Sequence, residues 1–370
     1  MSSYKICVYA ICKNEEKFVD RWMDAVSEAD LVVVTDTGST DGTVEKLRAR
    51  GAVVYEEKIS PWRFDTARNL AMDHIPDDMD ICVSNDLDEV FEKGWRQKLE
   101  DAWKPEHTRA RYLFTYSFHL DGTPNKQFDM EKIHRRHGFR WVHPVHEVLE
   151  YSGTDPDNVV RVNMVLNHYP DYAKSRGQYL PLLELSAAEN PQDDRTAFWL
   201  GREYVYNREY DKAIEALKRH LDLPTALWNE ERSASMRFLA RSYEGKGDLQ
   251  EAKNWLFRAI AECPAVREPY IDTARLGYRM RDWPLVFLMT ESALSITQKS
   301  GSYLTEELCW SYQPYDFGSI ACFWLGLYDK AAHYAKIACK YSPYDERLKK
   351  NLELIELKQN EGKPQHGESL

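Results

Sequence analysis

Up to about position 170, short apolar runs alternate with segments whose apolar residues recur every three or four positions. Tyr4-Lys-Ile-Cys-Val-Tyr-Ala-Ile11 is β-branched and aromatic enough for a strand. Over residues 15–27, Phe18, Val19, Trp22, Met23 and Val26 fall on one helical face. Residues 30–35 form a continuous apolar run, as suits a parallel strand covered on both faces. A helix over 44–49, a strand over 51–55, a helix over 62–72 and a strand over 80–84 continue the rhythm. Strands alternating with helices imply βαβ units and a parallel sheet. Further strands are expected at 111–118 and 159–166, with a helix over 92–103.

From about Arg195 the strand signals stop. Residues 195–206 and 208–217 read as two helices joined by a turn, and Pro224 ends the second. Tyr210-Asp-Lys-Ala213 returns as Asp248-Leu-Gln-Glu-Ala252, Asp282-Trp-Pro-Leu-Val286 and Tyr328-Asp-Lys-Ala331. A period near 34 residues is the signature of tetratricopeptide-like helical hairpins, and the longer gaps are loop insertions. The expected division is a domain over 1–172, helical repeats over 173–358 and a disordered tail over 359–370, with a capping helix over 348–359. Trp199, Tyr204, Tyr210, Trp255 and Trp324 sit at helical spacing and read as core.

Composition narrows the function. The 370 residues carry 49 basic and 60 acidic side chains, a net charge of −11, which argues against nucleic-acid binding. No apolar run approaches the ~20 residues needed to span a bilayer. The seven cysteines are odd in number and lack a Cys-x-x-Cys, so they read as reduced small hydrophobes in a cytoplasmic protein.

The chemistry gathers at the run Ile81-Cys-Val-Ser-Asn-Asp-Leu-Asp-Glu89. If the backbone stays extended, Asp86 and Asp88 point to one side beyond the carboxyl end of a strand, where open α/β sheets bind ligands. Two carboxylates there suit Mg²⁺ or Mn²⁺ shared with a phosphate, and a solvated acidic turn is the plainer alternative. Trp141-Val-His-Pro-Val-His-Glu147 holds His143, His146 and Glu147, residue types that serve as general bases. In a strand, the side chains of His146 and Glu147 would face opposite ways. Lys132-Ile-His-Arg-Arg-His-Gly138 is a basic cluster, read as a solvated edge strand ahead of a diphosphate-neutralising one.

Five features stand in order: Ala10-Ile-Cys-Lys-Asn-Glu-Glu16, Asp36-Thr-Gly-Ser-Thr-Asp-Gly-Thr43, Ala67-Arg-Asn-Leu70, Asp86-Leu-Asp88 and Trp141-Val-His-Pro-Val-His-Glu147. Together they resemble the catalytic domain of family 2 glycosyltransferases over about residues 4–170. This chain has Thr37 where many relatives carry a second Asp. The resemblance implies an α/β GT-A fold, a Rossmann-like nucleotide-diphospho-sugar transferase domain, followed here by an all-α TPR-like domain. It implies that Asn14, Glu15, Asp36, Ser39 and Asp41 line the nucleotide pocket and that Arg68 approaches the diphosphate. Asp86 would lie near ribose or metal, with Asp88 and His168 on the metal. Glu147 would be the catalytic base, with His146 its rival. Each has a structural alternative: a turn carboxylate for Asp36, a surface ion pair for Arg68, backbone-bonded imidazoles for His143 and His168.

The resulting expectation is a metal-dependent inverting transferase using Mn²⁺ or Mg²⁺ and a UDP-sugar donor. The acceptor would be a peptide, protein or glycan. The whole architecture is similar to bacterial and prophage glycosyltransferases with a repeat tail, one group of which modifies Cys or Ser of small secreted peptides. Rival readings are a cell-surface saccharide acceptor and a catalytically inactive repeat scaffold. The repeat surface is also a candidate for pairing with a second copy of the chain.

Overall fold

A computed structural model describes residues 4–119, 121–171 and 177–361. The chain divides into two compact units, one of residues 1–189 with 301–303, the other of residues 190–300 with 304–370. The expected disordered tail lies mostly outside the described residues.

The first unit is built on an eight-stranded sheet. Strands β1 (Ile6–Cys12), β2 (Leu31–Asp36), β3 (Val53–Glu56) and β4 (Ile81–Ser84) run parallel in the order β3-β2-β1-β4. Helices α1 (Val19–Ala25), α2 (Thr43–Ala49) and α3 (Phe64–Asp73) make the crossovers. Successive residues of β1 serve opposite faces. Ile6, Val8, Ala10 and Cys12 join a core with Trp22, Val34 and Leu47, whereas Cys7 and Tyr9 join one with Ala71, Met72 and Trp141. Both faces of β1 are therefore covered, which is why it is apolar throughout.

After β4 the chain forms a short strand β5 (Glu89–Phe91), helix α4 (Trp95–Ala102), and the long strands β6 (Arg109–Phe118) and β7 (Pro124–Arg135). A two-stranded ribbon of β8 (Phe139–Val142) and β9 (Val148–Tyr151) precedes β10 (Val159–His168). The sheet continues as β4-β7-β6-β10-β5, with β7 antiparallel to both neighbours. The basic cluster is thus not a solvated edge. Residues 132–135 lie on the central β7, where Lys132 donates to Asp86 and Glu89, while Arg136 and the exposed His137 follow the strand. His134 is fully buried and bonds Tyr9 Oη at 2.9 Å. Helix α5 (Tyr179–Glu189) closes this unit.

The second unit is helical. Four hairpins follow one another: α6 (Asp194–Tyr206) with α7 (Tyr210–Asp222), α8 (Asn229–Gly245) with α9 (Leu249–Glu262), α10 (Glu268–Met280) with α11 (Trp283–Ser295), and α12 (Tyr312–Trp324) with α13 (Tyr328–Tyr341). Helix α14 (Glu346–Glu361) caps the array. The repeating small residue is the packing contact. Ala213, Ala252, Val286 and Ala331, one in each second helix, are all fully buried. Four residues before two of them, Asp248 and Asp282 cap their helices, accepting from Glu251 N at 3.0 Å and Leu285 N at 3.2 Å. Close approach needs Gly201, since a Cβ there would stand 2.5 Å from Leu217 Cγ. Trp199, Tyr204 and Trp255 are buried as expected, but Trp324 is 60 % exposed. Its ring stacks on Trp283 at 5.5 Å, so it covers a neighbouring ring at the surface instead of filling the core.

Candidate active site

Strand ends bring the sequence candidates together at the carboxyl edge of the sheet. Parallel pairing sets Cys12 opposite Asp36, so the β1–α1 and β2–α2 loops lie side by side. They are stitched by their own polar groups. Asn14 N donates to Ser39 Oγ at 2.8 Å, Thr40 N to Asn14 Oδ1 at 2.7 Å, and Glu15 N to Thr43 Oγ1 at 2.8 Å. Asn14 takes a positive φ of 54°, which its short polar side chain tolerates. Asp36 is buried and accepts from Gly38 N and Ser39 N at 2.9 Å each, while Ser39 Oγ donates to its other oxygen. It shapes the loop as an Asx-turn carboxylate. Asp41 accepts from Thr43 N at 3.1 Å and Glu16 N at 3.4 Å. A Cβ on Gly42 would reach 2.9 Å from the Glu16 carboxyl carbon, so the end of that flexible side chain would have to shift. Between them opens a polar cleft of about 400 Å³ bounded by Asn14, Glu16, Lys17, Asp41, Lys46 and Asp171.

Asp86 and Asp88 do not follow an extended backbone. They sit in a turn between β4 and β5, closed by Glu89 N donating to Asp86 O at 2.9 Å. The two carboxylates consequently take different partners. Asp86 receives both forks of the Arg68 guanidinium, at 2.8 and 2.9 Å, and Lys132 Nζ at 3.2 Å. Burial opposes its charge, but Arg68 and then Lys132 outweigh it and hold the carboxyl far below its usual range. Lys132 also donates to the buried Glu89 at 3.0 Å. Burial, and then the Asp86 and Asp88 charges, keep Glu89 above the usual carboxylate range despite that lysine. The register Val83 opposite Ile133 is what carries Lys132 to this position. The sequence marked Lys132 only as part of a basic cluster and Glu89 only as the end of an acidic run, because their pairing depends on strand register. Asn85, fully buried, fixes the start of the turn by accepting from Trp22 Nε1 at 2.6 Å.

Arg68 is turned inward. It is 5 % exposed, and its Nε donates to Glu147 Oε1 at 2.6 Å. Its guanidinium thus pairs with two carboxylates inside the fold, not with one at the surface. Its guanidinium carbon lies 5.1 Å from the Trp141 ring centroid, which walls the pair. Glu147 and His146 belong to no strand. They lie in the β8–β9 connection, where His143 has φ 74° and His146 φ 53°. The backbone folds back on itself there, so strand alternation does not decide which of them faces the cleft. His146 meets the Tyr179 ring edge-on at 5.6 Å.

Asp88 meets His168. Antiparallel pairing of β5 with β10 sets His168 opposite Glu89, one residue beyond Asp88. Asp88 Oδ2 lies 3.3 Å from His168 Nε2, and Tyr169 N donates to Asp88 O at 2.8 Å. His168 Nδ1 lies 3.2 Å from Tyr116 O. With Nδ1–H donating to that carbonyl, the Nε2 lone pair faces the carboxylate. One carboxylate oxygen and one imidazole nitrogen at this spacing fit a divalent cation. Burial disfavours the charged imidazole, but Asp88 and Glu89 outweigh it and raise its pKa.

A Rossmann-like parallel half, a mixed second half and an Asp-Leu-Asp turn at the carboxyl edge define a GT-A-like domain followed by helical repeats. Residues 7–148 match the model of the family described as Glycosyl transferase family 2, and the first unit carries such a domain. Solved structures similar to this chain include MamA, at 20% identity, TM-score 0.35, over 45% of this chain and 83% of that one. A thermophilic TPR protein of Thermus thermophilus follows at 20% identity, TM-score 0.34, over 48% and 89%. Yeast Tom70 is similar at 14% identity, TM-score 0.39, over 51% and 37%. Comparison with curated protein sequences gives no match. No helix among the described residues is long and apolar enough to cross a membrane.

Proposed function

We propose that this protein is a metal-dependent glycosyltransferase that moves a sugar from a UDP-sugar to a peptide, protein or glycan acceptor with inversion. The observation that carries the reading is the approach of Asp88, which lies in the stretch matching the family 2 glycosyltransferase model, to His168 beyond it, at 3.3 Å. Asp88 and His168 would hold Mn²⁺ or Mg²⁺, which supplies positive charge against the departing diphosphate. The polar cleft between the β1–α1 and β2–α2 loops receives the nucleotide, with Asn14 and Asp41 on its wall and Asp36, Ser39 and Glu15 setting its shape. Arg68 positions Asp86 and Glu147 by bonding both. Glu147 takes the acceptor proton, since the Arg68 bond fixes its carboxylate near the Asp-Leu-Asp turn, and His146 is the second candidate. The repeats offer stacked helical hairpins of the kind that bind extended chains, and this supports a polypeptide acceptor.

The reading is tested by following the melting temperature of the purified chain with UDP-sugars, with and without Mn²⁺. A donor that binds the native state raises it. If no nucleotide sugar shifts the transition and none is hydrolysed with Mn²⁺ present, the reading fails.

A further inference from the structure

We infer that the helical-repeat unit holds a structural divalent cation, most naturally Zn²⁺, between Asp194, His220 and Glu231. These residues open α6, close α7 and open α8, so one ion would tie the first hairpin to the first helix of the second. One ligand atom of each lies within 4.8 Å of the other two. His220 is fully buried, and its Nε2 has no hydrogen-bond partner among the described residues. Leaving such a nitrogen unsatisfied in the interior is costly, so an imidazole in this position calls for a partner.

The spacing says which kind. His220 Nε2 stands 3.4 Å from Glu231 Oε1. An N–H···O hydrogen bond closes to about 2.7–3.2 Å. Two ligands bound at about 2.0–2.2 Å to one tetrahedral ion stand about 3.4 Å apart. The ring is already fixed on its other side, where Nδ1 lies 2.8 Å from Ser235 Oγ. With Ser235 accepting from Nδ1–H, Nε2 presents its lone pair to the two carboxylates, the arrangement that metal-binding histidines use. Phe198, itself fully buried, packs 5.7 Å from the ring. One imidazole and two carboxylates suit a borderline divalent ion, and three protein ligands leave a fourth position for water. The ion would add a cross-link between α6, α7 and α8 beside the one that Ser235 already makes to His220.

The test uses the full-length chain, stripped with chelator and returned to metal-free buffer. One equivalent of zinc is then added, and the zinc retained after desalting is counted in the wild type, in Asp88→Ala, where the proposed donor site is lost, and in His220→Gln. One zinc per chain in the first two, a raised melting temperature on adding zinc, and affinity weakened more than ~100-fold in His220→Gln are expected, because losing a supporting contact alone costs 10–100-fold. Should His220→Gln fail to fold, Asp194→Asn at the helix start replaces it, and visible absorption of the Co²⁺-loaded wild type reports nitrogen and oxygen ligation directly. Zinc lost in Asp88→Ala but kept in His220→Gln would place the ion at the donor site and overturn the inference. Stability indifferent to zinc, with none retained, would make His220 and Glu231 a plain buried ion pair and overturn it as well. Neither outcome bears on donor binding.

Discussion

Arg68 Nε donates to Glu147 Oε1 at 2.6 Å, although 79 residues separate the two along the chain. The same guanidinium grips Asp86 with both terminal nitrogens. One cation therefore sets the relative position of the turn after β4 and the β8–β9 connection. Removing one member of such a buried set leaves charge uncompensated, at about 3–5 kcal/mol. Arg68→Ala should lower unfolding free energy by that order in urea titrations. Arg68→Lys should recover only part of it, since a point charge cannot fork. A loss below ~1 kcal/mol would mean that the pairs are solvated and unimportant.

Glu147→Gln keeps an oxygen for Arg68 but loses the charge that accepts a proton. Transfer to a hydroxyl acceptor should fall by roughly 10²–10⁴-fold with little change in donor affinity. His146→Ala should cost less. Rates of the two variants, measured at saturating donor, decide between the candidates, and the opposite order reverses the assignment. A thiol acceptor would depend less on either residue, because a few per cent is already thiolate.

Asp88→Ala should abolish transfer and remove the part of UDP binding that depends on Mn²⁺ or Mg²⁺. Isothermal titration with and without excess chelator measures that part. Equal UDP affinity for the wild type in both conditions would exclude a bridging ion at Asp88 and His168.

Burial pushes the His134 imidazole down to about 4. Its unfolded value is about 6.5, so below that pH the unfolded chain binds the extra proton. Stability from a neutral His134 is present above pH ~6.5 and is lost as pH falls toward about 4, by roughly 3 kcal/mol in total. His134→Gln should be less stable at pH 7, having lost the ring bonded to Tyr9, and should show a flatter decline over this window. Parallel profiles of the two proteins would show that burial leaves the His134 pKa at its unfolded value.

A fragment ending at Glu189 should fold and hydrolyse donor in the presence of Mn²⁺, yet glycosylate its acceptor poorly. Circular dichroism and donor turnover check the first half, acceptor assays the second. An insoluble fragment would show that the repeats complete the first unit's core.

Periodicity in the sequence was enough for the parallel half of the sheet and for the helical repeats, but not for β5, the β8–β9 ribbon or α5. Apolar runs in β1, β2 and β4 and the recurring small residue at 213, 252, 286 and 331 report burial directly, because both faces of a parallel strand and the seam of a helical hairpin admit only apolar or small side chains. Asp88, His168, Glu147 and Arg68 were likewise legible as chemistry-bearing residues. What they touch was not. The β5–β10 register puts His168 beside Asp88, and the β4–β7 register turns Lys132 from a surface charge into a partner of Asp86 and Glu89. Positive φ at His143 and His146 bends a segment that alternation alone reads as a strand. The grouping of Asp194, His220 and Glu231 comes from three helices whose mutual approach no local pattern encodes. Side-chain type and spacing are properties of the chain, whereas ligand sets and ion-pair partners depend on distances that exist only after strands pair and helices pack.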